Sequence, residues 1–599
     1  MITRPHPATI DAASTFARWL SNRPGAGPRT HAVGLALWRA AASGHSCLPV
    51  HQFRDEQGAL IAPSESMLLA GLGTSVGAPD VEDGSAAAII HDQGQLYLAR
   101  LHRAEVALAH ALRERLNGAA RIPADSTLAL LRELFAGSPL GAVAGLVALQ
   151  RSLAIVVGGP GTGKTWTVLR LLALLHAERP GLRVAVAAPT GKAAQRLRES
   201  LARDLDALPP SVPETTRSAI AAAARAAGTL HRLLGFRPDR GIFTHHAGAP
   251  LAADAVVIDE ASMVDLPLFA ALLAALRPTT TLILLGDACQ LASVETGVVL
   301  GDLSTARGGG YGPGLQGTAS AVLGVQLPLA AAPSLVSDVM VELLFSRRFA
   351  DDSGIGRVAH HLRRAIARQP GAPEAAWAAL SAGTAPAAPI AGAQVVEDLA
   401  AALAPALAAY RTVLSQPTAA LALRALDEAR VLSPVHGGPT GVEALVVRIE
   451  RSLGISGHAY RGRPILISAN DAATGLANGD VGILWPDAAG TLCAWFPQTR
   501  EQLRAVPISQ LPAHVTAWAM TVHKSQGSEF STVVVVVPAL DPLAARQHPL
   551  SAQLLYTAAT RARQTLVVCS TKADFIQAAK TQGQRGSRLA QRVKAGVVS

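Results

Sequence analysis

From about residue 150 the chain carries short apolar runs that stop abruptly on small or acidic residues. "LAIVVGG", "RVAVAAPT", "DAVVIDEAS" and "TLILLGDACQL" each close on Gly, Thr, Ser or Leu just past a Pro, Asp or Gly, with helical stretches between them. Runs of this length alternating with helices predict a parallel α/β sheet with its chemistry at the C-terminal strand ends. The pattern returns in "ARVLSPV", "STVVVVVP" and "TLVVCS", which predict a second such sheet. Between its first two strands, "RPILISAN", "LANGDVGILWPD" and "GTLCAWF" are broken by turns, Asn478-Gly479-Asp480 most clearly. A small β-barrel inserted in the second α/β domain is expected there. Upstream, "TFARWLSNR", "GLALWRAAASG" and "AEVALAHALRERLNG" place apolar residues at helical spacing. Residues 1–125 therefore read as a helical interaction domain. The stretch "STARGGGYGPGLQGTASAVLG" (304–324) lacks periodicity and reads as a flexible surface insertion.

Composition narrows the class. The 599 residues suggest about three or four domains at roughly 100–200 residues each. A hydrophobic share of 49% is ample for packed cores, and a net charge of +10 suits a polyanionic partner, nucleic acid before membrane. Cys47, Cys289, Cys493 and Cys569 have neither metal-ligand nor redox spacing, so a reducing compartment is expected. No run approaches the ~18 apolar residues of a membrane span, and the N-terminus shows no secretory h-region.

The chemistry concentrates in a few stretches. "GGPGTGKT" comprises Gly158, Gly159, Pro160, Gly161, Thr162, Gly163, Lys164 and Thr165, between a strand and a helix. Its glycines let backbone N–H groups close around phosphate oxygens at a helix N-terminus. Lys164 would reach the β and γ phosphates, and the Thr165 hydroxyl would ligate Mg²⁺. In "VVIDEAS", Asp259 ends a strand, where a carboxylate would ligate Mg²⁺ directly or through water, and Glu260 could polarise the attacking water, with a helix N-cap as the alternative for such an acidic pair. Gln290, in "LLGDACQLASVETG", could sense the γ-phosphate. Thr190 and Lys192 in "APTGKAAQRL", and Thr229 and His231 in "GTLHRLLG", suit nucleic-acid phosphates, with helix capping by the threonines as the alternative. Arg347 and Arg348 in "LFSRRF" and Arg561 in "YTAATRAR" could neutralise transition-state charge, or form surface ion pairs. "TVHKSQGSEF" (Thr521 to Phe530) is either a plain loop before a buried strand or half of a site.

Taken in order, these stretches resemble the motif series of the superfamily 1 helicases. "GHSCLP", "GTLHRLLG", "THHAGAPL", "DEASMVDLP" and "TVHKSQGSEF" resemble the RecD family within them, the alpha subunits of exodeoxyribonuclease V. The resemblance implies an α/β fold of two RecA-like P-loop domains, 126–345 and 346–599. It adds a helical N-terminal domain (1–125), a short insertion near 236–251 and an SH3-like β-barrel at about 440–510. It implies a 5′→3′ DNA helicase driven by ATP and Mg²⁺, in a heterotrimer with RecB-like and RecC-like subunits. Such a complex acts on single strands and duplex ends in recombinational repair, in the bacterial cytoplasm. By motif, Lys164, Asp259, Glu260, Gln290, Arg348 and Arg561 take catalytic roles, and Glu529 takes the ribose hydroxyls. Thr190, Lys192, His523 and Lys524 lie along single-stranded DNA. One departure concerns the base: where the family carries an adenine-reading glutamine, this sequence has Gly141, and Gln150 stands closer to the phosphate loop. A stand-alone RecD-like helicase and a regulatory P-loop subunit remain alternatives. No nuclease site is expected.

Overall fold

A computed structural model of the chain describes residues 7–22, 30–52, 73–75, 88–293, 295–346, 348, 352–382, 392–471, 473–498, 502–539, 550–583 and 585–594. Near the N-terminus the helices Pro7–Ser21 and Thr30–Ala42 pack on each other and on a small sheet. Its strands are β1 (Cys47–Pro49), β2 (Gly73–Ser75), β3 (Ile89–Asp92) and β4 (Gln95–Leu98), in the order β1-β4-β3-β2. The expectation of a purely helical 1–125 is corrected here. β3 and β4 form a hairpin because Gln93 and Gly94, at φ 48° and 76°, close a two-residue turn of the kind that matches strand twist. The intervening residues 53–72 and 76–87 lie outside the described residues.

The first parallel sheet uses β5 (Leu153–Gly158), β6 (Val184–Ala188) and β7 (Gly228–Thr229). A hairpin of β8 (Phe236–Arg237) and β9 (Ile242–Phe243) follows, within the expected 236–251 insertion. The sheet is completed by β10 (Ala255–Ile258), β11 (Thr281–Gly286) and β12 (Met340–Leu343), in the order β12-β5-β11-β10-β6-β7. Every residue of β5, β10 and β11 is buried, as strands covered by helices on both faces require. The Gly-rich 304–324 segment is not a flexible insertion. It folds as the helix Val299–Arg307, a turn, and the helix Pro313–Leu323, with Gly308 and Gly324 as left-handed C-caps. Tyr311 between them is buried, and Asp338 accepts the Leu315 N–H at 3.1 Å. Glycines that cap helices had erased the periodicity a helix reading depends on.

The second parallel sheet begins with β13 (Ala393–Val396) and β14 (Ala429–Ser433). Five antiparallel strands interrupt it: β15 (Pro464–Ile467), β16 (Val481–Pro486), β17 (Leu492–Pro497), β18 (Leu503–Pro507) and β19 (His514–Thr516), in the order β18-β17-β16-β15-β19. It resumes with β20 (Ala519–Thr521), β21 (Phe530–Val536) and β22 (Ala562–Cys569), giving β13-β22-β21-β14-β20. The inserted sheet starts later than the 440–510 expectation because Val442–Ser452 is an amphipathic helix with Leu445 and Ile449 buried. Among the described residues, no helix is long and apolar enough to cross a membrane.

The C-terminal segment returns to the other end of the chain. The Ser46 N–H donates to Gly586 O at 2.8 Å, and the Gly586 N–H donates to His45 Nδ1 at 2.8 Å. The helix Leu589–Lys594 buries Leu589 and Val593 against the helices Ala99–Leu116 and Val299–Arg307. Fully buried Glu105 accepts from Ser46 Oγ at 2.7 Å, Tyr97 OH at 3.2 Å and Arg592 Nε at 3.0 Å. Arg592 also pairs with Asp92. One guanidinium thus compensates two carboxylates that burial would otherwise leave uncovered. Removing one partner of such a buried pair costs about 3 kcal/mol, so Arg592→Ala should lower the midpoint of the first transition in denaturant unfolding. An unchanged midpoint would show that the segment carries no stability.

Candidate nucleotide site and nucleic-acid face

The site begins at the C-terminal end of β5. The chain leaves Gly158, turns, and enters the helix Lys164–Glu178. Gly161 has φ 78°, and a Cβ there would lie 2.4 Å from Arg348 Cβ. Only glycine lets the loop pass this close to Arg348, which arrives just after the sheet's last strand. Lys164 Nζ donates to Gly158 O at 2.7 Å and Gly159 O at 3.0 Å, and Ser346 Oγ donates to Pro160 O at 3.0 Å.

Beside the loop, β10 delivers the acidic pair. Asp259 Oδ1 accepts the Glu260 N–H at 2.8 Å. Glu260 has φ 51°, a left-handed conformation that a non-glycine residue adopts only when its surroundings impose it. Burial raises the Asp259 carboxyl to about 6, the Glu260 charge adds to this, and Lys164 partly offsets it. Thr165, Asp259 and Glu260 line a cavity of about 350 Å³ together with Arg196, Gly527 and Glu529. Its far wall therefore comes from the "TVHKSQGSEF" stretch, after β20. A buried, uncompensated carboxylate beside a hydroxyl is a donor set that fits Mg²⁺, which takes few protein ligands and completes its shell with phosphates and water.

Glu529 does not stand open. Arg348 Nη2 pairs with its Oε1 at 2.7 Å, and Arg196 lies at 4.0 Å. Burial pushes the Glu529 carboxyl up, but Arg348, Arg196 and Arg561 outweigh this and hold it below the ordinary value. The expected ribose contact gives way, in this arrangement, to an acidic seat for Arg348.

Gln290 and Arg561 are brought together. Arg561 Nη2 donates to Gln290 Oε1 at 3.0 Å, and Gln290 Nε2 donates to Asp287 Oδ2 at 3.0 Å. The arginine is fixed by two further bonds, from Nε to Thr557 O at 3.1 Å and from Nη1 to Ser528 O at 3.2 Å. The first sheet's Leu291 N–H donates to Thr557 Oγ1 at 2.9 Å, and Gln526 Nε2 donates to Leu291 O at 2.8 Å. The candidate residues of the two sheets thus form one hydrogen-bonded seam. Arg196 and Asp287 were not singled out from the sequence as site residues. Arg196 follows Lys192 by four positions and so shares its helix face, a signal that could have found it.

The nucleic-acid candidates are less gathered. The Thr190 and Thr229 hydroxyls act as helix caps, accepting from Ala193 N and Arg232 N, each at 3.2 Å. The His231 ring packs edge-on against Phe236, with centroids 5.4 Å apart. His523 and Lys524 sit in the turn after β20, where burial lowers the Lys524 amine. Lys192 alone of this set lines a cleft of about 750 Å³ between the helix Gly191–Asp204, the helix Ala419–Leu426 and the antiparallel sheet. Phe496, Arg424 and Arg504 also line it. Burial, with Arg196 adding, lowers the Lys192 amine to about 8. At the position where an adenine-reading glutamine was expected, Gly141 is buried inside the helix Pro139–Gln150, with Phe135 and Ser138 where a side chain would go.

Comparison with known proteins gives a consistent set. A family model described as an AAA domain matches residues 142–296, and one described as a UvrD-like helicase C-terminal domain matches 516–569. RecBCD enzyme subunit RecD of Mycolicibacterium smegmatis is 37% identical over 478 residues, covering 75% of this chain and 74% of that one. RecBCD enzyme subunit RecD of Haemophilus influenzae is 33% identical over 485 residues, covering 75% and 71%. The ATP-dependent RecD2 DNA helicase of Deinococcus radiodurans is 28% identical over 581 residues, covering 92% of this chain and 67% of that one.

The buried Asp259 charge yields a prediction about stability without nucleotide. Its folded value is raised, so the Asp259 contribution to wild-type stability is most favourable at low pH and falls as pH rises from about 4 to about 6. Asp259→Asn lacks that loss. Its melting temperature should gain on wild type across this window and level off above it, while its ATPase is lost. A difference independent of pH would contradict the buried-charge account.

Proposed function

The chain belongs to the RecD family of ATP-dependent DNA helicases, and on that premise we propose that it is the 5′→3′ motor of a RecBCD-type complex. The observation that carries the reading is the seam through Gln290, Arg561 and Thr557, which ties the phosphate-loop sheet to the second sheet. ATP would lie on the loop Gly158–Thr165, its phosphates held by backbone N–H groups and by Lys164 released from the loop carbonyls. Thr165 and Asp259 would hold Mg²⁺, which supplies charge neutralisation at the β and γ phosphates when bound. Glu260, next to Asp259, would orient the attacking water. Arg348 and Arg561 would face the γ-phosphate from the second domain, with Gln290 reporting its loss.

The antiparallel insertion β15 to β19 is read as the SH3-like element of a DNA path, with Lys192, Arg424 and Arg504 toward phosphates and Phe496 as an apolar wall. His523 and Lys524 would extend this path along the second sheet, and Thr190, Thr229 and His231 along the first. Domain limits near 126, 346 and 599 follow from this division, with the N-terminal helices and sheet as the surface for a RecC-like subunit. Partner RecB-like and RecC-like chains, and duplex ends as substrate, rest on the family. A stand-alone RecD-like helicase is the second reading, placed behind the first because the match to the ATP-dependent RecD2 DNA helicase is at 28% identity against 37% for the RecBCD subunit.

Lys164→Gln should reduce DNA-stimulated ATPase by well over ~10²-fold, since a contribution of ~3 kcal/mol to the transition state corresponds to that factor. Near-normal turnover would remove the loop from the mechanism. Unwinding should require a 5′ single-stranded tail on the duplex, and DNA affinity should fall steeply with salt because most contacts are to phosphates. Unwinding from a 3′ tail alone would reverse the polarity, and a flat salt response would remove the proposed path.

A further inference from the structure

Tyr556 lies on the helix Ala552–Ala559 of the second sheet's domain and has no part in the chemistry derived so far. It is among the largest fully buried side chains of the molecule. Its hydroxyl donates to Asp287 Oδ2 at 3.0 Å, across the seam. The same hydroxyl lies against the phosphate loop: a Cβ on Gly159 would be 2.9 Å from it, with no other heavy atom within 4 Å. Asp287 is buried and almost saturated. Its Oδ1 accepts the Cys289 N–H at 3.0 Å, and its Oδ2 accepts both Tyr556 and Gln290. That fixes the Gln290 amide with Nε2 toward Asp287 and Oε1 toward Arg561. Arg561 is anchored in turn on Thr557 O, one residue from Tyr556. The ring is closed, running from Tyr556 through Asp287, Gln290 and Arg561 back to the same helix.

Two features make the phenol the informative member of the ring. Burial and the adjacent Asp287 carboxylate push its titration well above the ordinary tyrosine value, so it remains a donor throughout the working range. It is also the one member of the ring that abuts the loop itself. A shift of Gly159 toward the hydroxyl on phosphate binding would press on it, because the space a Cβ at Gly159 would need is already taken by the phenol oxygen and both residues are buried.

We propose that Tyr556 is a positioning residue of the ATPase, transmitting the state of the phosphate loop at Gly159 to Gln290 and Arg561 through the Asp287 carboxylate. This rests on the reading of Gln290 and Arg561 as the groups that meet the γ-phosphate. Tyr556 touches neither nucleotide nor DNA in this scheme. Its loss therefore lowers the rate of hydrolysis without weakening the binding of either.

The test is Tyr556→Phe, which removes one oxygen and keeps the ring, measured alone and in a Gln290→Ala background. The variant should lower the kcat of DNA-stimulated ATPase about tenfold, the effect of losing one hydrogen bond to a charged group. KM for ATP and the DNA dissociation constant should stay within about twofold, a split that a merely structural defect would not produce. In Gln290→Ala, the further change to Phe should have no effect, because residues acting through one another are not additive. Wild-type kcat in Tyr556→Phe, a matching rise in KM, or the same tenfold loss in both backgrounds would overturn the proposal. Failure of the underlying reading is distinguishable, because then Gln290→Ala by itself would leave the kcat of DNA-stimulated hydrolysis at the wild-type value.

Discussion

One buried carboxylate holds the two halves of the candidate site together. Asp287 sits just past the end of β11, and through Gln290 and Tyr556 it joins the phosphate-loop sheet to the helix Ala552–Ala559, which leads into Arg561. A buried charge of this kind is tolerated only when its hydrogen-bonding capacity is filled. Here the filling groups come from both domains, so the requirement for satisfaction becomes a requirement for a defined domain arrangement. Glu529 repeats the logic on the other side of the cavity, where Arg348 and Arg196 hold one carboxylate from two directions. The candidate nucleotide site is thus a feature of the junction, with residues drawn from both sheets.

Strain and charge gather at the same place. Glu260 keeps a left-handed backbone, and Asp259 keeps a carboxyl that burial disfavours. Both weaken the resting protein, and in the proposed mechanism both would gain a use once a cation and phosphates arrive. The C-terminal segment works in the opposite sense. Ser587 and Arg592 close the buried acids Glu105, Asp302 and Asp92, tying the chain's end to its first helices and sheet. The motor core gives up stability at its site and the periphery adds it.

Much of this was written locally in the sequence. The phosphate loop, the Asp259-Glu260 pair and the valine strand behind "TVHKSQGSEF" are contiguous signals, and each stands at the strand end where the pattern put it. What was not legible depends on long separations. Tyr556 and Asp287 are 269 positions apart, and no periodicity or spacing links them. Other local patterns fit two readings or hid one. Thr190 and Thr229 have the residue type for a phosphate contact, and the same hydroxyls accept a backbone N–H as helix caps. Residues 304–324 looked structureless because Gly308 and Gly324 end helices there. Strands β3 and β4 hid in a helical region because their turn is only two residues long. The stretch "TVHKSQGSEF" serves both purposes: Gln526, Gly527 and Glu529 face the junction, while Phe530 begins a buried strand.

The central claim is that the second domain completes the site by bringing charge to it and does not hold the nucleotide. Arg561→Lys tests this most directly, with nucleotide affinity by a fluorescent ATP analogue and DNA-stimulated turnover measured on one preparation. Lysine keeps the charge but not the fork that spans Gln290, Thr557 and Ser528. Turnover should be at least ~10³-fold lower, the low end of what an arginine of this kind contributes, with affinity within about threefold of wild type. Turnover near wild type, or an equal loss of affinity and turnover, would contradict it.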